Sequence, residues 1–482
     1  MVSKMGRAYE AVVVGSGPNG LAAAIALKQA GLSVLLIEGK EELGGGVRSG
    51  SLLMPGIIHD ICSAIHPLAA ASPFFRQLPL AEHGLEFIYP EYAAAHPLED
   101  GRAAILAKSI YDTIDTLEED AHNYKQLITG IANDFPLLIE DVLSPLKIPA
   151  HPVKMGLFGL KAIRSANAIS RRFDTDLGKA LWGGVAAHAI YPFNGIATAA
   201  IGLVLLGAAH AQGWPLPKGG AGSLTQALAA CFKSLGGEIQ TGWMVKDIDE
   251  LPESDIVLLD VTPKQLLEIS GHRFSGLYKR QLQRYRYGMG IFKVDWILDG
   301  EVPFTNEQCR RAGTVHLGNT YEEIARSEYD TYKGRYVEKP FVLLAQQASF
   351  DATRTRDKLH PVWGYCHVPH GSDRDMTLEI EQQVERFAPG FRDRIVARTV
   401  SDTREVEAYN PNYIGGDING GVINITQLFT RPALRPSPYR TSTRGVYICS
   451  SSTPPGGGVH GMCGFYAARR ALKDIYNIKI SI

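Results

Sequence analysis

The pattern of apolar and polar positions opens with residues 11–14, AVVV, a run that is apolar at every position. Such a run predicts a parallel strand buried on both faces. Gly15-Ser16-Gly17-Pro18-Asn19-Gly20 follows, then an alanine-rich helix over 21–30 closed by Gly31, then a second apolar strand over 33–37 that ends at Glu38. Together these make a complete βαβ unit. Farther on, the pattern predicts extended chain over 85–98, mostly helix over 109–211, a helix ending at 235, and strands over 238–241, 245–248 and 254–260. Aromatic strands are expected over 290–297 and 341–349, a last strand over 445–450, and a terminal helix over 462–476. The nucleotide-type units are therefore interleaved with two long insertions, and a substrate pocket belongs in such insertions.

The first unit carries recognisable chemistry. Gly15 permits the tight turn, Gly17 lets a pyrophosphate approach the backbone, and Gly20 allows close contact of helix and strand. The helix N-terminus at Pro18 and Asn19 turns its amides toward phosphate charge, and Ser16 completes the turn. Glu38 follows near the distance at which an acid accepts hydrogen bonds from an adenosine ribose. Behind it, Gly44-Gly45-Gly46-Val47-Arg48 brings more backbone and one guanidinium to the pyrophosphate. An NAD enzyme has little need of this second glycine cluster, whereas FAD proteins use one.

Composition narrows the class. The 482 residues are 45% hydrophobic and 21% charged with a net charge of −1, which excludes a broad electrostatic footprint for nucleic acid. The six cysteines show no C-x-x-C pair and no metal-ligand spacing, so they read as free thiols in a reducing compartment with no metal site. The polar start MVSKMGRAYE has no apolar signal core, and the apolar run 195–209 falls short of the roughly 18 to 20 residues that span a bilayer. A cytoplasmic protein is expected. Residues 154–173, KMGLFGLKAIRSANAISRRF, carry five cations and no acid with apolar residues at helical spacing. They predict an amphipathic helix able to rest on an anionic membrane surface, although a solvated cap helix fits the same pattern.

Near the C-terminus, STPPGGGVHGMCG repeats the dinucleotide spacing in Gly456-x-Gly458-x-x-Gly461. A second nucleotide site needs a further strand and an acid about 20 residues on, but only 21 residues follow Gly461 and most read as helix. One cofactor is therefore expected. A strand, glycine turn and helix start present amides free of side-chain obstruction, and those of Gly461 and Met462 are the expected donors to the charge that collects on a reduced flavin. His460 is expected to add a donor or face the substrate, and a packed or solvated histidine is the alternative.

Residues 12–20, Glu38 with Gly44 to Arg48, Lys218 to Ser223 with Gly236-Gly237-Glu238, and above all 445–464 resemble the phytoene-desaturase-like FAD oxidoreductases. That group includes bacterial phytoene desaturases, carotenoid isomerases and retinol saturases, and the similarity covers nearly the whole chain. The resemblance implies an α/β fold. Its parts are a discontinuous Rossmann-type FAD domain (1–75, 213–270, 401–482), a mixed-sheet substrate domain (76–108, 271–400) and a helical cap (109–212) that contacts membrane. It places Gly15, Gly17, Gly20, Glu38, Gly45, Gly46 and Arg48 around adenosine and pyrophosphate, the backbone of Val245 at the adenine, and the terminal glycine loop beneath the isoalloxazine ring.

The expected chemistry is hydride movement between flavin N5 of non-covalently held FAD and a carbon of an apolar isoprenoid, carotenoid-like or other lipid substrate, of the desaturase type. Oxygen, a quinone, another flavoprotein or transient NAD(P) would serve as electron acceptor. His66 and His460 are the candidate acid-base groups, with Asp60, Tyr365 and His367 behind them. Three alternatives stand beside this reading: an amine or small-metabolite oxidase, a net non-redox isomerase using reduced FAD, and a non-catalytic FAD-stabilised binding protein. An aromatic, acid-poor pocket favours lipid, and a carboxylate aimed at the flavin favours amine.

Overall fold

The structure, a computed structural model, describes residues 9–482; the polar stretch 1–8, read above as the start of a chain without a signal core, lies outside the described residues. β1 (Ala11–Val14) turns through the glycine loop into α1 (Pro18–Gln29), and the chain returns as β2 (Val34–Ile37). It then leaves this unit as β3 (Tyr92–Pro97) and β4 (Ala103–Ala107), followed by α2 (Ala121–Val142), α3 (Pro152–Ala162), α4 (Asp176–Ala186) and α5 (Ala199–Gln212). It comes back as α6 (Gly222–Ser234), β5 (Glu238–Gln240) and β6 (Ile256–Leu259). A second excursion comprises β7 (Gly290–Leu298), β8 (Ala312–Leu317), α7 (Tyr321–Tyr332), β9 (Val342–Ala345), β10 (His360–Val368) and β11 (Ile395–Ser401). The chain closes on β12 (Val446–Ile448) and α8 (Met462–Ile475).

The returning pieces make one parallel sheet of order β12-β6-β1-β2-β5. Successive side chains of a strand point to opposite faces, and β1 feeds two cores in this way. Ala11 and Val13 pack into the core that holds α1, α6 and α8, while Val12 and Val14 join Leu35, Ile37 and Val257 on the other side.

The two excursions together build a seven-stranded mixed sheet of order β11-β7-β10-β9-β8-β3-β4, in which only β8 and β3 run parallel. Its Phe292, Val294, Trp296, Val315 and Leu344 face a core of their own. The pairings Lys293 with Tyr365, Asp295 with Trp363, Tyr365 with Leu343, and Leu343 with His316 put all six residues on the opposite face.

Three expectations change. Residues 245–248 form no strand: the chain turns at Gly242, where φ is +70°, is pinned to the end of β2 by Trp243 N donating to Glu38 O, and continues as a 3-10 turn over Ile248–Glu250. The strand expected to run to 349 stops at Ala345, because the buried Gln346 side chain donates to the carbonyls of Cys309 and Ala312. The single amphipathic helix over 154–173 is two helices, α3 and Ala166–Ser170, since Ser165 caps the second by accepting from Ala168 N. The apolar run 195–209 becomes the buried α5, and among the described residues no helix is long and apolar enough to cross a membrane.

α1 and α8 approach each other with backbone against backbone. A Cβ on Gly464 would run into the Asn19 carbonyl and lie 3.0 Å from Ala23 N, and one on Gly461, where φ is +69°, would meet Phe75 and sit 2.9 Å from Ala22 Cβ. Gly464→Ala is therefore expected to destabilise the protein by about 1–3 kcal/mol and lower its thermal unfolding midpoint. Gly130→Ala, on an open face of α2 with nothing within 4 Å, should leave that midpoint unchanged or slightly raised.

Candidate active site

A cavity of about 400 Å³ begins where β1, β2, β6 and β12 end and reaches the face of the mixed sheet. This is the crevice at the carboxyl ends of parallel strands where open α/β sheets bind ligands. Gly15, Ser16, Gly17, Pro18 and Asn19 line it together with Glu38, and Trp243, Met244 and the buried Val245 close that end. Gly45, Gly46, Arg48 and Asp260 line the next stretch. Beyond them the walls are His66, Leu68, Leu205, Trp214, Trp363 and Tyr365, with Gly458 and Val459 of the terminal loop.

The narrow end has the shape of a dinucleotide cradle. A Cβ on Gly17 would lie 2.8 Å from Asp260 Oδ2, one on Gly45 3.1 Å from Gly17 Cα, and those on Gly20 and Gly46 would run into the Gly15 carbonyl and the Tyr413 hydroxyl. Gly17 caps α1 without a side-chain hydrogen bond, Pro18 stands at the first turn, and the buried Asn19 Oδ1 has no partner. A helix start with no side-chain cap receives an anion; here its third amide, Gly20 N, already donates to Asp260 Oδ2. These residues fit FAD, whose pyrophosphate would face α1 and whose adenosine would lie toward Glu38 and Val245.

Three of the cradle residues act through one another. Glu38 Oε2 accepts from Ser16 N at 3.0 Å and from Ser16 Oγ at 2.5 Å, and its Oε1 accepts from Lys40 N at 2.9 Å and Arg48 at 3.3 Å. Arg48 also donates to the carbonyls of Glu42 and Leu43 and lies over the Tyr409 ring at 5.4 Å. Ser16 and Arg48 thus hold the acid and the second glycine loop in place, and Gly44 N donating to Ser16 Oγ ties the two loops together.

The terminal loop is corrected in detail. Met462 N donates to His460 Nδ1 at 3.0 Å, and Gly461 is packed on Phe75 and Ala22, so neither amide lies in the cavity wall. His460 is fully buried; its Nδ1 accepts from Met462 N at the start of α8, its Nε2 has no partner in the protein, and it does not line the cavity. Gly458 and Val459 are the loop residues that line the cavity.

His66 stands in the wall at 2% exposure, bonded through Nε2 to Ser63 Oγ at 3.0 Å. Ser63 spends its one hydroxyl proton on the Gly46 carbonyl at 3.0 Å, so its oxygen accepts from His66 Nε2–H. His66 Nδ1 then carries a lone pair, and it has no partner in the protein. Burial pushes this imidazole down to about 4, which leaves it neutral at pH 7.

Asp60 is not free for catalysis. It accepts from Ser49 Oγ and Ala221 N at 2.7 Å, from Gln347 Nε2 at 3.2 Å and from Arg354 at 2.5 Å, and so joins the second excursion to the parallel-sheet unit. His367 lies behind the wall, where its Nδ1 meets the buried Glu328 at 2.7 Å, whereas Tyr365 lines the cavity and stacks on Trp363. The residue-by-residue reading missed Trp363, Lys293 and His188. Lys293 pairs with Asp295 and lies over the Trp363 ring at 5.4 Å; His188 lines the cavity and meets His316 at 3.0 Å. The alternation WGYCHV in β10 was the available signal for the Trp363 and Tyr365 face.

Against the cost of burial, the Arg354 guanidinium, the Ala221 amide and the Ser49 hydroxyl hold the Asp60 carboxyl below its usual range. Removing one partner of such a buried pair leaves an uncompensated charge, so Asp60→Ala is expected to cost about 3–5 kcal/mol. A carboxyl depressed by folding contributes stability above its unfolded value of about 3.9 and loses it as pH falls through the folded one. The gap in unfolding midpoint between wild type and Asp60→Ala should be full at neutral pH and narrow below about pH 4.

Comparison with known proteins now adds to the geometry. The profile of the family of flavin-containing amine oxidoreductases matches residues 19–268, just over half of the chain. A mouse protein named pyridine nucleotide-disulfide oxidoreductase domain-containing protein 2 is 24% identical, with 98% of this chain and 94% of that protein covered. A lycopene-forming phytoene desaturase from a Paracoccus species is 22% identical, with 95% of each covered. Putrescine oxidase with bound putrescine shares the fold at a TM-score of 0.60 and 16% identity, over 98% of this chain and 99% of that one. With an α/β two-sheet fold, a dinucleotide cradle and this match, the chain belongs to the flavin-containing amine oxidoreductase family.

Proposed function

We propose that the protein is an FAD-dependent oxidoreductase acting at carbon on an apolar, uncharged substrate of the isoprenoid or other lipid class. The observation that carries this reading is the distribution of charge along the cavity. Its only lining carboxylates among the described residues, Glu38 and Asp260, belong to the dinucleotide end. The far walls are aromatic and aliphatic, and burying an ammonium there without a carboxylate would be costly. Trp363, whose ring could receive a cation, already carries Lys293 and stacks on Tyr365.

FAD supplies a two-electron acceptor or donor when bound. The chain's own part is to exclude water, to hold an apolar chain against Trp363, Tyr365 and Leu205, and to move a proton. His66 Nδ1 is the group for that proton. A carbon skeleton that has given up a hydride equivalent has a strongly acidic neighbouring C–H, so an imidazole titrating at about 4 is basic enough to take it.

The helical cap offers a route for such a substrate. Val153, Leu157 and Leu160 of α3 are 76%, 62% and 68% exposed, Leu146 and Ile148 continue the patch, and Arg164, Arg171 and Arg172 follow in the chain. α3 packs on α5, whose Leu205 lines the cavity. We propose that this patch rests on a membrane surface.

Anaerobic titration of the FAD-loaded protein tests the substrate class. Polyene or other isoprenoid lipids should alter the visible flavin bands of the oxidised or the dithionite-reduced protein, and primary amines should not; bleaching by amines alone would overturn the reading. With an active lipid in hand, His66→Ala should lower turnover by about 10²- to 10⁴-fold while substrate binding holds. Wild-type protein should float with anionic vesicles and Leu157→Glu/Leu160→Glu should not; equal recovery of both would overturn the membrane contact.

A further inference from the structure

Asp260 follows directly on β6 and lies in the floor of the glycine turn. Its Oδ2 accepts from Gly20 N at 2.9 Å, and the same oxygen is the atom that a Cβ on Gly17 would meet. A Cβ on Gly15 would stand 3.1 Å from Asp260 Cβ. A carboxyl therefore occupies one of the first-turn amides of α1, the donors that a pyrophosphate needs. The side chain is half-buried, and it borders the cavity.

From this placement, and given the FAD reading above, we propose that Asp260 is a cofactor-contacting residue that meets the pyrophosphate of FAD as a neutral carboxylic acid, so that binding takes up one proton. A pyrophosphate diester brings two negative charges, and Glu38 on the neighbouring strand end brings a third. The lining cations are already directed elsewhere: Arg48 donates to Glu38 and to the carbonyls of Glu42 and Leu43, and Lys40 Nζ donates to the Ala408 carbonyl. An ionised Asp260 would add an uncompensated charge at short range, whereas its protonated form can donate an O–H to a phosphate oxygen.

The surroundings favour the protonated form. Burial pushes the carboxyl up, the Glu38 charge adds to this, and the Gly20 amide opposes it, for a value of about 7. The other titratable groups that face it are the thiols of Cys449, beyond β12, and Cys463, in α8, both pushed up by burial and neutral at pH 7. The proton comes from solvent, and no bond in the cofactor is made or broken.

The test is the dissociation constant of FAD from the deflavinated protein between pH 6 and 8.5, read by flavin fluorescence. For wild type it should rise about tenfold per pH unit above about pH 7, the slope of one linked proton. Asp260→Asn should show no rise and bind FAD at least about tenfold tighter than wild type at pH 8.5. A wild-type constant that is flat over this range, or a slope retained in Asp260→Asn, overturns the proposal. Calorimetry of wild type at pH 8 in two buffers of different ionisation enthalpy needs no variant: uptake of close to one proton supports the proposal, and no uptake overturns it. Absence of FAD binding at every pH would overturn the flavin reading itself, whereas pH-independent binding leaves that reading intact.

Discussion

The structure depends on one close approach, at the point where the glycine turn, the start of α1 and the start of α8 converge. Gly20 sits against the Gly15 carbonyl, Gly464 against the Asn19 carbonyl, and Gly461 against Ala22. A side chain at Gly20 or Gly464 would push into a backbone carbonyl, and one at Gly461 into the Phe75 ring and the Ala22 methyl. The two segments that meet are separated by more than 400 residues of sequence, so the cradle exists only when both ends of the chain are in place. The two excursions can then carry a second sheet and a helical cap without disturbing the cofactor's seat.

Charge is organised around the same point. The cradle keeps its acids and cations at one end, with Glu38 as the hub for Ser16, Lys40 and Arg48. Farther along, buried ions are closed off from the cavity. Asp60 is consumed by Arg354 and three other donors, and Lys293 is paired with Asp295 behind Trp363. Beyond the dinucleotide end the cavity wall carries no carboxylate among the described residues, and in the proposed reaction His66, bonded to Ser63, is the group that moves a proton. Fold similarity to amine oxidases and sequence similarity to a phytoene desaturase are compatible with more than one substrate, so the proposed substrate class rests on the cavity walls of this chain.

Much of this was legible in the sequence because local rules govern it. A run of four apolar residues, a glycine turn and an alanine-rich helix identify β1 and α1 without reference to anything distant. Long-range partners were not legible. Nothing near Asp60 announces Arg354, because that contact forms across 294 residues. The helix expected over 154–173 broke for a local reason, the capping strength of Ser165, which the apolar periodicity masked. Asp260 went unremarked because a lone acid after a strand has no spacing partner; only the geometry brings it under the glycine turn.

The orientation of the cofactor tests this account most directly. A crystal structure of the FAD-loaded protein should place adenosine at Glu38 and Val245, and the isoalloxazine ring between Gly458-Val459 and the wall of His66, Trp363 and Tyr365. A ring found at the Glu38 end, or a loaded protein whose ring lies outside this cavity, would contradict it.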